Sequence, residues 1–380
     1  MSTTEYRKQI DEIDAELVKL FARRMEVSAE IARYKQQNNL PITDLSREKE
    51  KYTAVLNQTP PELQDYSYPL FSLLIELSKS YQHRLTDGRG PLTDAITDAI
   101  ENTPRLFPEY ATVACQGIEG ANSQFACDKL FKNANILYFS SFDAVFASIE
   151  KGLCRYGVVP VENSSAGSVN KVYDLMMQHK FYIVRSIRIK IEHNLLAKPG
   201  VKLEEIKEIY SHEQAISQCS KFLSGLKNVK VVPCENTAVA ARMVATSDRR
   251  DVAALASRPC IRLYGLNCLA DGVQNVDNNY TRFICITKEL EIYPGANRTS
   301  MMLTLPHEQG SLYKLLSKLY ALGINLNKLE SRPLPDKSFE FMFYFDLDTP
   351  VYSQKLLQLM GELPGACESF AYLGSYSEVF

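Results

Sequence analysis

The sequence predicts a multidomain chain: an all-α segment, an α/β segment and an α+β segment. Three observations carry that reading. Apolar residues recur every three or four positions over residues 1–86. Short β-rich runs alternate with helical patterns over 109–288, and 298–380 reads β-α-β-β-α-β, the split βαβ or ferredoxin-like order. A length of 380 residues suits two or three domains, and 45% hydrophobic residues is ordinary for a globular core.

The first helix spans residues 6–37, which hold no Gly or Pro. Ile10, Ile13, Leu17, Leu20, Val27, Ile31 and Tyr34 form its apolar face. Pro41 ends the pattern, and either Thr43 or Asp44 caps a second helix. A third runs over about 63–85. Turn chemistry at 86–91 (Asp87, Gly88, Arg89 and Gly90 among them) closes a domain at 1–88, and 89–108 reads as a linker with room for a short helix. In the second segment, strands are expected at 111–115, 136–139, 156–161, 181–184, 187–196, 208–210, 229–232, 252–256 and 282–287, in a largely parallel sheet. In the third, strands at 300–305, 326–330, 340–347 and 369–375 flank helices at 311–322 and 353–359.

Charge and cysteine content narrow the function. A formal net charge of −2 argues against a general nucleic-acid binder. There is no early apolar run and no apolar stretch of membrane-spanning length, so neither a signal peptide nor a membrane span is expected. Nine scattered Cys without a CxxC pair read as reduced thiols in a cytoplasmic protein, with no metal site.

The helical segment places cations where an apolar stripe should continue. Arg24 lies four residues after Leu20. Lys35 follows 11 residues later, about 20° from Arg24 around the helix. Ser78 and Gln82 share a face of the third helix, and Asp44, Arg47 and Glu48 open the second. A structural ion pair is one reading and an anion site the other. Arg7, Arg24, Lys35, Asp44, Arg47, Glu48, Ser78 and Gln82, at this spacing, resemble the all-helical chorismate mutase domain. Arg7 and Arg24 are 17 residues apart, about 25 Å, too far to reach one ligand from one helix. If both serve one site, Arg7 of the partner subunit completes it, in keeping with the intertwined homodimer the resemblance implies. The resemblance further implies that Arg24, Arg47 and Ser78 grip the carboxylates of chorismate. Lys35 and Gln82 would donate to the ether oxygen, while Glu48 and the backbone near Asp44 would hold the ring hydroxyl.

In the second segment, polar residues cluster where strands end, the usual ligand position in α/β folds. Gly117, Gly120 and Ser123 lie in a strand-to-helix turn that reads either as an anion cradle or as a plain turn. Glu162, Asn163 and Ser164 end a hydrophobic strand; His212 is either a cap or a structural residue, and Thr281 either a site residue or an ordinary strand Thr. The Gly loop at 117–123, Val159-Pro-Val-Glu-Asn-Ser164 with Gly167, Ser211-His212 with Gln218, Glu235-Asn-Thr-Ala238, Leu263-Tyr-Gly-Leu266 and Thr281-Arg-Phe283 resemble prephenate dehydratase. Ile118 departs from the Pro common there. The resemblance implies a two-lobed, periplasmic-binding-protein-like fold with the site in its cleft. Thr281 would donate the proton, and Glu162, Gln218 and Glu235 would orient and bind. Gly117, Gly120, Ser123, Asn163, Ser164, Ser211, His212 and Arg282 would contact prephenate.

After residue 298 no catalytic constellation is evident. Gly310-Ser-Leu and Glu330-Ser-Arg-Pro333 resemble the ACT regulatory domain of prephenate dehydratases. That implies an L-phenylalanine site at Gly310, Ser311, Leu312, Glu330, Ser331 and Arg332. Together the resemblances imply conversion of chorismate through prephenate to phenylpyruvate, with feedback by phenylalanine and no cofactor. The alternatives are an arogenate dehydratase and a non-catalytic, amino-acid-responsive binding protein.

Overall fold

A computed structural model describes residues 2–86, 90–334 and 340–379; of the expected domain-closing turn, Asp87, Gly88 and Arg89 lie outside these. The chain forms two compact units, Met1–Glu101 with Thr299–Ala371, and Asn102–Arg298 with Tyr372–Phe380. The first and last of the three expected segments therefore share a unit.

Helix α1 (Thr3–Gln37) begins in a capping box, where the Ser2 backbone N–H donates to the Glu5 carboxylate at 2.6 Å. Helix α2 (Leu45–Gln58) is capped by Asp44, whose Oδ1 accepts from the Arg47 backbone N–H at 3.0 Å. Helix α3 (Gln64–Leu85) packs on both. The apolar stripe of α1 does not turn inward as expected. Ile10, Ile13, Leu17, Leu20, Val27, Ile31 and Tyr34 are all exposed, and α1 buries only Ser28, Ala29 and Ala32. Helix α1, of 35 residues and about 52 Å, overreaches the 22-residue, about 33 Å α3, and Leu20, Val27 and Ile31 face the open cavity between the helices. Within the expected linker, α4 (Pro91–Asn102) is the short helix for which that reading left room. Pro91 suits a first helical position, Thr93 Oγ1 accepts from the Gly90 N–H at 2.8 Å, and Ile96 and Ala99 are buried.

The second unit opens with β1 (Tyr110–Gln116), α5 (Asn122–Leu130), β2 (Asn133–Phe139), α6 (Phe142–Glu150), β3 (Tyr156–Asn163), the short β4 (Gly167–Ser168), α7 (Asn170–His179) and β5 (Tyr182–Lys190). The chain then passes through β6 (Asn194–Ala197), β7 (Glu208–Ser211), α8 (Glu213–Gln218), α9 (Ser220–Ser224), β8 (Lys230–Pro233), α10 (Thr237–Thr246), β9 (Val252–Ala256), α11 (Cys260–Tyr264) and β10 (Asn267–Ala270), and returns as β11 (Tyr280–Thr287). Strands β5, β11, β3, β1 and β2 lie side by side in that order; β10, β6, β9, β7 and β8 form the other sheet. Both are mixed rather than largely parallel: β11 runs antiparallel to β3 and β5, and β6 antiparallel to β9 and β10. The reason is the double passage between sheets, through Ile191–His193 outward and through 271–279 on return, which brings strands in against their neighbours. Separate buried clusters form the cores, around Val113, Tyr156 and Phe283 in one sheet, and around Ala254 and Leu255 on the two faces of the other. All nine cysteines are free thiols.

The remaining elements are β12 (Arg298–Thr304), α12 (Ser311–Leu322), β13 (Asn325–Pro333), β14 (Phe341–Asp348), α13 (Gln354–Glu362) and β15 (Ser369–Val379). They follow the β-α-β-β-α-β order, and the strands lie in the order β13, β14, β12, β15. Helices α12 and α13 pack on α3, which is why the first and last segments form one unit. Among the described residues no helix is long and apolar enough to cross a membrane.

Candidate active sites

In the first unit, α1, α2 and α3 enclose a cavity of about 710 Å³. Arg24, Lys35, Asp44, Arg47, Glu48, Ser78 and Gln82 line it, seven of the eight residues expected there; Arg7 does not. Arg24 enters from α1, where its guanidinium donates to Ser78 Oγ and, at 2.8 Å, to the Leu74 carbonyl. Burial lowers its pKa from the ordinary value, yet a guanidinium starts so high that it stays charged. Lys35 Nζ donates to the Ile42 carbonyl at 2.6 Å, which fixes the ammonium and leaves two N–H groups for a ligand. Gln82 is buried, and its Oε1 has no hydrogen-bond partner among the described residues. The side-chain amide, whose NH₂ is the donor group, lies at the cavity wall. Arg47 is exposed and pairs with Glu50 at 2.9 Å. Glu48 accepts from Lys79 Nζ at 3.1 Å.

In the second unit, Thr281 lies opposite Asn163 in the β11–β3 register. Opposed residues share a face, and Asn163 Nδ2 donates to Thr281 Oγ1 at 2.9 Å. The same amide donates to Asn279 Oδ1 at 2.8 Å, while its Oδ1 accepts from Ser165 Oγ at 2.8 Å and from the Ala166 N–H at 2.9 Å. Gln218 arrives from α8. Its Nε2 donates to Ser165 Oγ at 2.6 Å, and its Oε1 accepts from Asn279 Nδ2 at 3.1 Å and lies 2.8 Å from His193 Nε2. Thr281, Asn163 and Gln218 thus meet in one polar network spanning the elements of both sheets.

Other expected residues sit elsewhere. Arg282 and Glu162 are likewise opposed, and strand alternation turns them to the face away from Thr281. Arg282 is 4% exposed and bound to Glu162 at 3.2 Å, Tyr376 Oη at 2.6 Å and Glu378 at 3.4 Å. Arg282, expected to contact prephenate, and Glu162, expected to orient and bind it, are thus paired with each other on the sheet's other face. Ser211 Oγ is committed to the Leu255 carbonyl at 2.8 Å, and Ser164 Oγ to the Asn278 carbonyl at 3.0 Å. His212 is the cap of α8, with Nδ1 accepting from the Gln214 N–H at 3.3 Å. Glu235 is exposed just before Asn236, which caps α10.

The Gly loop is shaped by its neighbours. Gly117 and Gly120 have φ of +111° and +92°, and a Cβ on Gly120 would meet Leu263 Cδ2 at 3.0 Å. Tyr264 Oη donates to the Glu119 carbonyl at 2.7 Å, so the Leu263-Tyr264 stretch serves to hold this loop. Ser123 is buried in the first turn of α5. In the C-terminal segment, Gly310 takes φ +83° before Ser311 and Leu312 at the start of α12. Glu330 and Arg332 share one face of the edge strand β13, and Ser331 the other.

Sequence reasoning passed over Asn279, His193 and Lys79. Asn279 lies two residues before Thr281, on the same side of an extended chain, and that spacing is a signal that was there to use. His193 and Lys79 carry no local signal; only tertiary contact reveals them.

The chorismate mutase type II family model matches residues 6–83, and the prephenate dehydratase model matches 113–291. The chain is 30% identical over 379 residues to a bifunctional chorismate mutase/prephenate dehydratase of Buchnera aphidicola, covering 98% of this chain and 95% of that one. It is 34% identical over 327 residues to arogenate dehydratase 2 of Petunia hybrida, covering 80% of this chain and 82% of that one. Among solved structures, a prephenate dehydratase of Arthrobacter aurescens in complex with L-Phe is similar at a TM-score of 0.64 and 27% identity, over 70% of this chain and 90% of that one. With both family models matched in this order and a relative aligned almost end to end, the chain belongs to the bifunctional chorismate mutase/prephenate dehydratase family, enzymes of phenylalanine biosynthesis.

Proposed function

We propose that the α1–α3 cavity rearranges chorismate to prephenate and that the Thr281 network converts prephenate to phenylpyruvate. The observation that carries the first assignment is the convergence of seven expected residues on one cavity. The rearrangement needs no proton shuttle. It needs a compact dianion held in place and donors at the ether oxygen as negative charge builds there. Arg24 supplies the fixed cation, Lys35 and Gln82 the donors, and Glu48 the acceptor for the ring hydroxyl.

For the dehydratase, Thr281 donates its proton to the departing ring hydroxyl. The C–O bond and the bond to the carboxylate carbon both break; water and CO₂ leave, and the ring becomes aromatic. A free Thr hydroxyl is a poor acid. Here Asn163 Nδ2 donates into Thr281 Oγ1, which polarises the O–H bond and turns its proton outward.

A homodimer completes the mutase. Arg7 lies off the cavity, and the exposed apolar residues of α1, Leu17 at 54% and Leu20 at 61% among them, fit a second copy of the same helix. That copy would bring Arg7 of the partner subunit to the site. Residues 298–380 are inferred to be a ferredoxin-like ACT module binding L-phenylalanine near Gly310 and Glu330, as the L-Phe complex of the Arthrobacter relative supports. A cytoplasmic location goes with these soluble substrates. The Petunia relative favours a second reading, arogenate as an alternative dehydratase substrate. Purified protein incubated with chorismate, with and without phenylalanine, and separately with arogenate, tests all of this. Prephenate then phenylpyruvate should form, less so with phenylalanine. Absence of prephenate would refute the mutase assignment, and phenylalanine formed from arogenate in preference would favour the second reading.

A further inference from the structure

Lys79 follows Ser78 in α3, about 100° further round the helix, and lies at the wall of the α1–α3 cavity beside Glu48. Its Nζ lies 3.1 Å from Glu48 Oε1 on α2 and 2.5 Å from Glu76 Oε1 on its own helix. The other oxygen of Glu76 lies 3.6 Å from Lys318 Nζ on α12, which in turn lies 3.2 Å from Glu362 Oε2 on α13. Glu362 Oε1 accepts from Ser80 Oγ at 3.1 Å and from Gln358 Nε2 at 2.9 Å. Five charges alternate in sign, and the side chains of Glu76, Lys318 and Glu362 are 8% exposed or less. Burial lowers the Lys79 pKa, and Glu76 with Glu48 more than reverses this, so the ammonium is held charged.

A buried ionic chain is a costly way to join helices, since apolar residues of similar volume serve as well or better. What it adds is direction: each charge restricts the rotamers of the next. At one end stand Glu48 and Lys79, which both line the mutase cavity. At the other stand residues more than 230 positions away, outside the chorismate mutase match that ends at residue 83.

We propose that Lys79 is a positioning residue of the mutase, holding Glu48 toward the ring hydroxyl, and that Lys318 and Glu362 hold Lys79 through Glu76. The C-terminal segment thereby supports the geometry of the mutase site. The proposal rests on the assignment of Glu48 to substrate, and its test separates the two.

The test uses full-length Glu48→Gln, Lys79→Met, Lys79→Arg, Lys318→Met and the paired Lys318→Met/Glu362→Gln, measuring KM and kcat for chorismate and, in the same preparations, for prephenate. Lys79→Met should raise the chorismate KM about tenfold with a smaller change in kcat, the pattern of a lost charged contact made in ground and transition states alike. Lys318→Met and the paired variant should raise it about threefold to fivefold, being one link further removed. Lys79→Arg should recover most of the loss, and the prephenate constants should not move. The paired variant leaves no lone buried charge, so it carries the test if Lys318→Met does not fold. Glu48→Gln impaired while Lys318→Met and the paired variant stay within about twofold of the parent would overturn the proposal. So would Lys79→Arg as impaired as Lys79→Met. A neutral Glu48→Gln would instead overturn the assignment of Glu48.

Discussion

Replacing Asn163 by Asp tests the acid chemistry by reversing the hydrogen bond to Thr281, at the cost of the donations to Asn279 Oδ1 at 2.8 Å and to the Tyr280 carbonyl at 3.2 Å. The two side chains are nearly the same size, and an Asp carboxylate at 163 can still accept from Ser165 Oγ and the Ala166 N–H, as Asn163 Oδ1 does at 2.8 and 2.9 Å. It cannot donate. Thr281 Oγ1, which accepts from Asn163 Nδ2 at 2.9 Å, would face an acceptor and turn its own proton inward to meet it. The substrate would then lose its donor without any loss of volume. Positioned general acids contribute about 10²- to 10⁴-fold, so kcat for prephenate should fall by about that factor, or about 2.7–5.4 kcal/mol of barrier. The assay is phenylpyruvate formation from prephenate, with chorismate consumption measured in parallel. KM for prephenate should change little, and chorismate consumption not at all, since Asn163 lies in the other compact unit. A kcat within about threefold of the parent would refute the idea that Asn163 polarises Thr281.

Three further outcomes follow from the geometry. Lys35→Ala should remove about 3–4 kcal/mol of transition-state stabilisation from the mutase, as loss of a single preorganised donor does elsewhere; an unchanged rate of prephenate formation would reject its role. Leu17→Asp, placing a charge on the exposed stripe of α1, should shift the protein toward monomer in sedimentation and abolish mutase activity while the dehydratase survives; an active monomer would argue against a shared site. His193 is buried, which lowers its pKa below the ordinary value of 6.5. The folded state therefore binds fewer protons than the unfolded one. His193 contributes full stability above about 6.5 and loses it as pH falls below that, so Tm should drop on acidification from pH 7 to 5 and His193→Gln should flatten the slope. An equal slope in the variant would refute the linkage.

The parts of this protein legible in the sequence are those whose meaning is local. Arg24 is visible because it interrupts a helical stripe, and its place in the cavity follows from helix geometry alone. Asn163 is visible because it ends a hydrophobic strand, and Thr281 because it opens one. Arg282 shows the limit of that reasoning. It sits beside Thr281 in a shared motif, but a strand turns adjacent residues to opposite faces, and its partners Tyr376 and Glu378 lie almost a hundred residues on. The stripe of α1 is legible as an apolar face, but periodicity does not say what covers it, and in this chain it is exposed. Helix α4 was open to expectation as a short helix within the linker, but its burial was not, since Ile96 and Ala99 gain that only from tertiary contact. The union of the first and last segments was beyond reach, since Lys318 and Glu362 are ordinary helix residues until α3 is set against them.

The central claim is that one chain carries two separate chemistries, in the α1–α3 cavity and at Thr281. Full-length Thr281→Ala incubated with chorismate tests it most directly, with prephenate and phenylpyruvate followed over time. The account predicts that prephenate accumulates at the parent rate and that no phenylpyruvate forms. Loss of both activities together, in a protein that keeps its fold, would contradict it.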